Sequence, residues 1–308
     1  MDIIYQLPFP DEICSKILLY AFRSPHSDLP EEIFKRAVPP DTYQSLMEGG
    51  GIVKNEHGHV TKICVWNEDG KELIPVWPGI FNFEIQVVRG LQHLTILDIR
   101  GTGLKGDIVH LKSLPNLTKF DLRSTRVAGD IQVVQHLPNL TKFYLRSSNV
   151  SGDIPVFPTN LDYFDLGETY VTGDIQVLQG LQNLTGFYLS NTGVTGDIEN
   201  LPNNLTHFDL MSTEVFGDIR VLQNLPHLVY FELEDVTGVF GDIQVLQGLS
   251  HLTEFFLRWT GVTGDFQVLQ ALPKLSAFYI YGDEGVTGDA EAFHEYRRNA
   301  GLKECFIY

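Results

Sequence analysis

Cysteine is scarce in this chain: Cys14, Cys64 and Cys305 are the only three in 308 residues. They lie far apart and cannot all pair, which excludes a disulfide-stapled scaffold and points to a reducing, intracellular setting. Basic charge is in deficit as well. Twenty-two Lys and Arg stand against thirty-nine Asp and Glu, a formal charge of −17, the wrong sign for wrapping a nucleic acid. No apolar run approaches the roughly eighteen residues that a membrane-spanning helix needs. The N-terminal stretch shows no charged start followed by an unbroken apolar segment, so the expectation is a cytoplasmic or nuclear protein without a membrane span. Walker loops, Gly-x-Ser-x-Gly elbows and His-Glu-x-x-His helices are all missing. No enzyme is expected, and no cofactor.

What the chain has in abundance is repetition. Gly-Asp, usually followed by Ile, recurs at Asp107, Asp130, Asp153, Asp174, Asp197, Asp218, Asp242, Asp265 and Asp289, at spacings of 23, 23, 21, 23, 21, 24, 23 and 24. A second phrase keeps step, Leu-x-x-[Leu/Phe]-x-[Leu/Ile], starting at Leu94, Leu117, Leu140, Leu161, Leu184, Leu205, Leu228, Leu252, Leu275 and Leu302, with Val60 to Val65 as a further copy. In each copy the first, fourth and sixth positions point inward, as Leu117, Phe120 and Leu122 do, and the residues between them point out. One such unit cannot bury its apolar side alone; stacked units form a parallel sheet over a continuous core. A Val column downstream (Val127, Val150, Val171 and on to Val286) also points inward. The Asp of each Gly-Asp is expected to cap a short helix or 3₁₀ turn on the opposite side.

This period and pattern resemble the leucine-rich repeat family, and Gly-x-Ile after each strand resembles its plant-type subclass. The resemblance covers residues 60 to 308. It implies an α/β solenoid with a parallel concave sheet of about eleven strands and short convex helical or 3₁₀ turns. In place of the family's Asn ladder stand Thr102, Thr125, Ser148, Thr169, Thr192, Thr213 and Thr260, so a hydroxyl ladder is expected there. Two units, Asp153 to Leu161 and Asp197 to Leu205, are two residues short and contain Pro155, Pro158 and Pro202; their convex segments are expected to be extended.

The division of the chain is 1–50, a helical N-terminal cap, and 51–308, the solenoid. A hairpin from Ile52 to Trp66 opens it, residues 67–93 form an irregular first coil, and a helix over Ala290–Asn299 with a last strand ending at Tyr308 closes it. Asp11 to Phe22, Pro30 to Val38 and Asp41 to Glu48 are candidate helices. The phrase Phe9-Pro10-Asp11-Glu12-Ile13-x-x-x-Ile17-Leu18 resembles the first helix of an F-box, which implies a ubiquitin ligase adaptor docking on residues 7–48. The second half of the F-box pattern is missing, with no Trp before Trp66, and a plain cap is the favoured reading.

Several local motifs are explained by the repeat itself. Gly101-Thr-Gly103-Leu-Lys-Gly106 mimics a dinucleotide fingerprint, but Gly106 is the ordinary repeat turn. The stacked Asp column is expected to cap turns rather than hold a metal, since single carboxylates ~4.8 Å apart do not converge on one ion. The sequons at Asn116, Asn139, Asn149, Asn183 and Asn204 arise mostly from the repeated Asn-Leu-Thr and are expected to stay bare.

Function is sought on the outward strand positions. Arg100, Arg123 and Arg146 occupy one column, flanked by Lys119 and Lys142, and a run of aromatics follows: Tyr144, Tyr163, Tyr188, His207, Tyr230 and Phe256, with Arg258 beyond. Tyr and Arg together have the composition of an interface core. Charge is segregated too: from Arg89 to Arg146 nine basic residues face four acidic ones, and from Ser147 to Leu257 fifteen acidic residues are met only by Arg220. The expected function is a non-catalytic intracellular scaffold that binds a protein or peptide, acidic or phosphorylated, on the concave face. The alternatives are a substrate receptor of a ubiquitin ligase and a phosphate or small-ligand binder using the Arg column.

Overall fold

A computed structural model describes residues 35, 38, 40–66, 84–280 and 285–308. The F-box-like phrase, Cys14, the first two candidate helices almost entirely and most of the irregular first coil lie outside the described residues.

The repeated Leu phrase forms a sheet of twelve strands. Its first strand, β1 (Ile52–Lys54), is antiparallel to β2 (Val60–Cys64), and the other strands follow β2 in parallel and in chain order. Among the described residues eleven parallel strands are thus present, as expected. Register puts like over like: Lys119 pairs with Lys142, Phe120 with Phe143 and Asp121 with Tyr144. The inward fourth position becomes a file of fully buried phenylalanines, Phe120 through Phe278, with successive ring centroids between 5.3 and 5.9 Å apart. Such offset stacking adds to the burial of each ring.

The Val column belongs to a second sheet of nine parallel strands, from Lys105–Asp107 to Val286–Thr287. The sequence reading places those valines inward, which is correct, but takes the Gly-Asp that follows for a turn alone. In the fold Val-x-Gly-Asp is the strand, and Gly supplies its kink. Gly129 has φ +120°, and a Cβ there would lie 2.3 Å from the Oδ1 of Asp107 in the preceding coil, so no larger residue fits. The Asp then caps a 3₁₀ turn by accepting from the backbone N–H two residues on, as Asp107 does from Val109 at 2.8 Å and Asp242 from Gln244 at 2.9 Å. Asp153 departs from this. Its unit carries Pro155 and has no turn, and its Oδ1 accepts from the Thr172 hydroxyl. The other short unit differs from expectation: Ile198–Asn200 does form a 3₁₀ turn, because Pro202 falls after it while Asp197 caps it.

The expected hydroxyl ladder is also relocated. Thr102, Thr125, Thr169, Thr192, Thr213 and Thr260 each donate to the carbonyl three residues back in their own coil, and the Ser148 hydroxyl is buried without a partner. Coils are instead tied by the Asn-Leu-Thr phrase. Thr95 donates to the Thr61 carbonyl, Thr118 to Thr95 and Thr141 to Thr118, at 2.9 to 3.0 Å. Alongside, Asn116, Asn139, Asn183 and Asn204 donate from Nδ2 to the preceding coil. Four of the sequon amides are therefore structural ties.

Both ends of the core are lidded, since a repeat array cannot leave its terminal apolar face in water. At the front, helix α1 (Pro40–Glu48) buries Leu46, and Leu46 and Val38 join the core of the first coils. At the back, helix α2 (Ala290–Asn299), capped by Asp289, buries Phe293 and, unexpectedly, Arg297. Arg297 is 2% exposed, and its guanidinium donates to the carbonyls of Gln270, Leu272, Leu275 and Lys303 at 2.8 to 3.2 Å. It thus satisfies carbonyls that the last coils leave open. Burial pulls its pKa down. Replacing Arg297 by Met is expected to cost about 3 kcal/mol, since several buried acceptors lose their donor. Hydrogen exchange would accelerate from Leu275 to Tyr308 and stay unchanged around Phe143; uniform acceleration along the array would contradict the local role.

Candidate functional site

The seventh position of each repeat falls just past the strand end, and the next residue turns through left-handed backbone, as Ser124 (φ 53°) and Ser147 (φ 57°) do. That geometry stacks the arginine column. Gly101 N–H donates to the Arg123 carbonyl at 2.8 Å and Ser124 N–H to the Arg146 carbonyl at 2.9 Å, so Arg100, Arg123 and Arg146 share one wall as the repeat requires.

The charge on that wall is answered from within. Arg123 meets Asp121 through two guanidinium nitrogens at 3.0 and 2.7 Å. Arg100 reaches Asp121 at 3.3 Å and Asp98 at 3.5 Å, with Trp66 beneath it at 5.1 Å. Arg146 lies over Gly167, bonds Glu168 at 2.6 Å and reaches Ser190 at 3.3 Å; a Cβ at Gly167 would come within 2.8 Å of its Nη1. Lys142 pairs with Asp162 at 2.9 Å, and Arg258 pairs with Glu234. Lys119 has its ammonium 5.8 Å from the Tyr144 ring. The arginines and Lys142 of the basic patch are thus ion-paired, and a phosphate arriving there would have to displace carboxylates already in place.

The aromatics form two runs of neighbouring rings. Tyr144, Tyr163 and Tyr188 follow at 5.6 and 5.7 Å. Then His207, Tyr230, Phe256 and Tyr279 follow at 6.3, 5.9 and 4.1 Å, and Tyr308 joins at 4.5 Å. Tyr163 lies over Gly186, where a Cβ would meet its ring at 2.6 Å. Tyr144, Tyr163 and Tyr188 are tilted 39–40° to one another, and Tyr230 and Phe256 are tilted 59°, whereas Phe256, Tyr279 and Tyr308 lie nearly parallel. Burial lowers the pKa of His207, keeping it neutral near pH 7.

Between the aromatics, Asp165 and Asp209 are 6% and 5% exposed. Their carboxylates accept the backbone N–H of Gly167 at 3.1 Å and Met211 at 2.9 Å, while Glu232 accepts the Tyr230 hydroxyl. Burial pushes the carboxyls of Asp165 and Glu232 up to about 6 and raises that of Asp209 too.

Sequence reasoning missed Glu168, Ser190, Glu234 and Trp259. The last is 53% exposed, holds left-handed backbone at φ 56° and has the Arg258 guanidinium 5.2 Å from its ring. Trp rarity was the one available signal. A shallow hollow of about 450 Å³ beside the main sheet is lined by Asn55, His93, Thr95, Asn116 and Thr118 among others, whose amides and hydroxyls largely serve the ladder. Gly101 to Gly106 links the two sheets and is followed by a six-residue 3₁₀ turn, not by the helix a pyrophosphate site needs.

No protein-family model matches this sequence, and no curated protein sequence matches it. Solved structures do. A plant ice-binding protein is similar over 84% of this chain and 84% of its own, at 18% identity and a TM-score of 0.63. A TDR receptor covers 74% of this chain and 41% of its own length, at 23% identity and TM-score 0.61. A plant peptide hormone receptor, RGFR1, solved in complex with RGF2, covers 67% of this chain at 22% identity and TM-score 0.56, and this chain spans about a third of it (34%). At such identities the likeness is one of fold: the chain is a leucine-rich repeat solenoid.

Asp165 and Glu232 hold their protons to higher pH in the fold than in an unfolded chain, so protonation favours the fold. That contribution is present below the ordinary carboxylate range and is lost as pH rises through about 6. The expected outcome is a melting temperature that falls between about pH 4 and 7 more steeply in the native chain than in the Asp165→Asn, Glu232→Gln double variant. Parallel profiles would show that the two carboxyls titrate normally.

Proposed function

We propose that this chain is a non-catalytic binding protein whose partner, a protein or peptide, docks on the outward face of the twelve-stranded sheet. One observation carries the reading: the two aromatic runs and the buried ionic groups lie on a single continuous wall, the arrangement of a desolvated interface centre with anchors and oriented charges. The peptide hormone receptor with which the fold is shared supports it, as a binder of RGF2. We place the protein inside the cell, a reading supported by Cys64 and Cys305, both free and buried, with thiols pushed up to about 11 by burial.

A photo-crosslinking residue installed in native cells tests the docking face. In place of Tyr188 it should capture a partner, and in place of Tyr170, exposed on the second sheet, it should not. Tyr188→Ala should lower the affinity of that partner about tenfold, the range of a moderate interface anchor. Capture from Tyr170 alone would move the site to the other sheet.

A second reading rests on the second sheet. Ser151, Thr172, Thr195, Thr263 and Thr287 repeat along its outer side, strands there lie ~4.8 Å apart, and the ice-binding protein shares the fold along most of both chains. An ice-facing hydroxyl file would give a measurable gap between melting and freezing points, lost on Thr172→Tyr. Phe216 and Phe240 interrupt the file, which ranks this reading below the first; freezing at the melting point would dismiss it.

A further inference from the structure

In the early coils a carboxylate at the fifth strand position is matched by a cation at the seventh: Asp98 by Arg100 and Asp121 by Arg123. Further along, the carboxylate stays but its own coil supplies no cation; Arg146 reaches across from an earlier coil, hydrogen-bonded to Glu168 and Ser190. Asp165 is followed by Gly167, Asp209 by Met211 and Glu232 by Glu234. Among the described residues none of these three carboxylates makes an ion pair within 4 Å; their hydrogen bonds come from backbone N–H and hydroxyl groups. Guanidinium groups at either border are engaged, Arg146 with Glu168 and Arg258 with Glu234.

We propose that the main sheet from Asp165 to Glu254 seats an extended peptide segment bearing arginine or lysine, whose cations take the places that the chain's own arginines fill in the earlier coils. The proposal rests on the binding reading above and names the partner's chemistry: basic, rather than the acidic or phosphorylated one expected from the Arg column. Three observations support it. The column's arginines are already neutralised in place. From Ser147 to Leu257 the chain carries fifteen acidic residues against Arg220, a field that draws cations toward this part of the molecule. Tyr188 and Phe256 stand in the same row as the carboxylates and Tyr230 in the row beside it, and they provide apolar contact for the stems of long basic side chains.

Strand spacing sets the ligand's own spacing. Asp165 and Asp209 are two strands apart in register with Tyr188 between them, hence ~10 Å, while an extended peptide in the polyproline II conformation advances about 3.1 Å per residue with three residues per turn. Cations three residues apart on such a peptide, running along the solenoid axis, share one face at about 9 Å and match the two carboxylates. Burial of Asp165 and Glu232, which holds their carboxyls up near about 6, adds a linked signature: an arriving cation favours ionisation, so binding near that pH releases protons.

The probe is a fluorescent nine-residue Gly/Ser peptide with arginines at its third and sixth positions, titrated into the full chain by anisotropy. Its counterparts carry citrulline, glutamate or phosphoserine at the same two positions. Saturable binding is expected for the arginine peptide, weakened about tenfold by citrulline, by the Asp209→Asn, Glu232→Gln double variant and by raised salt, and unchanged by Tyr170→Ala on the second sheet. Both substitutions keep a hydrogen-bond acceptor in place, and the melting temperature of each variant reports whether it folds. Equal binding of the citrulline peptide, indifference to the double variant, or no binding of the arginine peptide overturns the proposal. Preference for phosphoserine overturns it in favour of an anionic partner. The crosslinking result at Tyr188 decides separately whether the docking face itself stands.

Discussion

Everything in this molecule follows from a lap of 21 to 24 residues that returns the chain to a point one strand further along. Because the lap is closed by backbone hydrogen bonds between coils and by the Thr and Asn ties of the Asn-Leu-Thr phrase, each side chain has its counterpart directly above and below. Apolar columns profit, as the phenylalanine file shows. Polar columns are constrained, because a charge repeated every coil meets its own kind at ~4.8 Å.

The fifth position shows how the chain handles that constraint. Asp98 and Asp121 are adjacent, and their mutual repulsion helps raise the Asp98 carboxyl, second only to burial; Arg100 and Arg123 are the answer. Beyond them the column alternates, Tyr144, Asp165, Tyr188, Asp209, so that an aromatic separates each of these carboxylates from the one before; Glu232 then abuts Asp209 directly, and that neighbour helps burial raise its carboxyl. Arg146 spans this stretch only because Gly167 leaves its path open. Residues that look like independent surface choices are thus solutions to one stacking problem.

The strands, their phase, the inward columns, the Asp caps and α2 were legible because they depend on intervals within one lap. What depends on the neighbouring lap was harder to see. Val-x-Gly-Asp is too short to show alternation and becomes a strand only by pairing with its copies, so the second sheet was missed. The hydroxyl column sits where the family's ladder would run, yet the Thr that follows each Leu at the strand's start lies nearer the adjoining backbone. Arg297 has helical spacing that gives no hint of burial; its partners are carbonyls 22 to 27 residues earlier. Pro155 and Pro202 were treated alike, yet only the first falls inside the turn.

The site divides along the same line. The arginines were found by their column, but their electrostatic sense was misjudged, since Asp121 is 21 residues from Arg100 and Glu168 is 22 from Arg146. Read in both directions at once, two residues along a strand and one lap across, the sequence already shows which cations are matched. It shows equally where matching stops. A buried ion pair contributes little field beyond itself, whereas a carboxylate with no cation in its own coil projects more of one. From Asp209 to Glu234 no coil supplies its fifth-position carboxylate with a seventh-position cation, and the basic partner proposed above would meet its matching charges there.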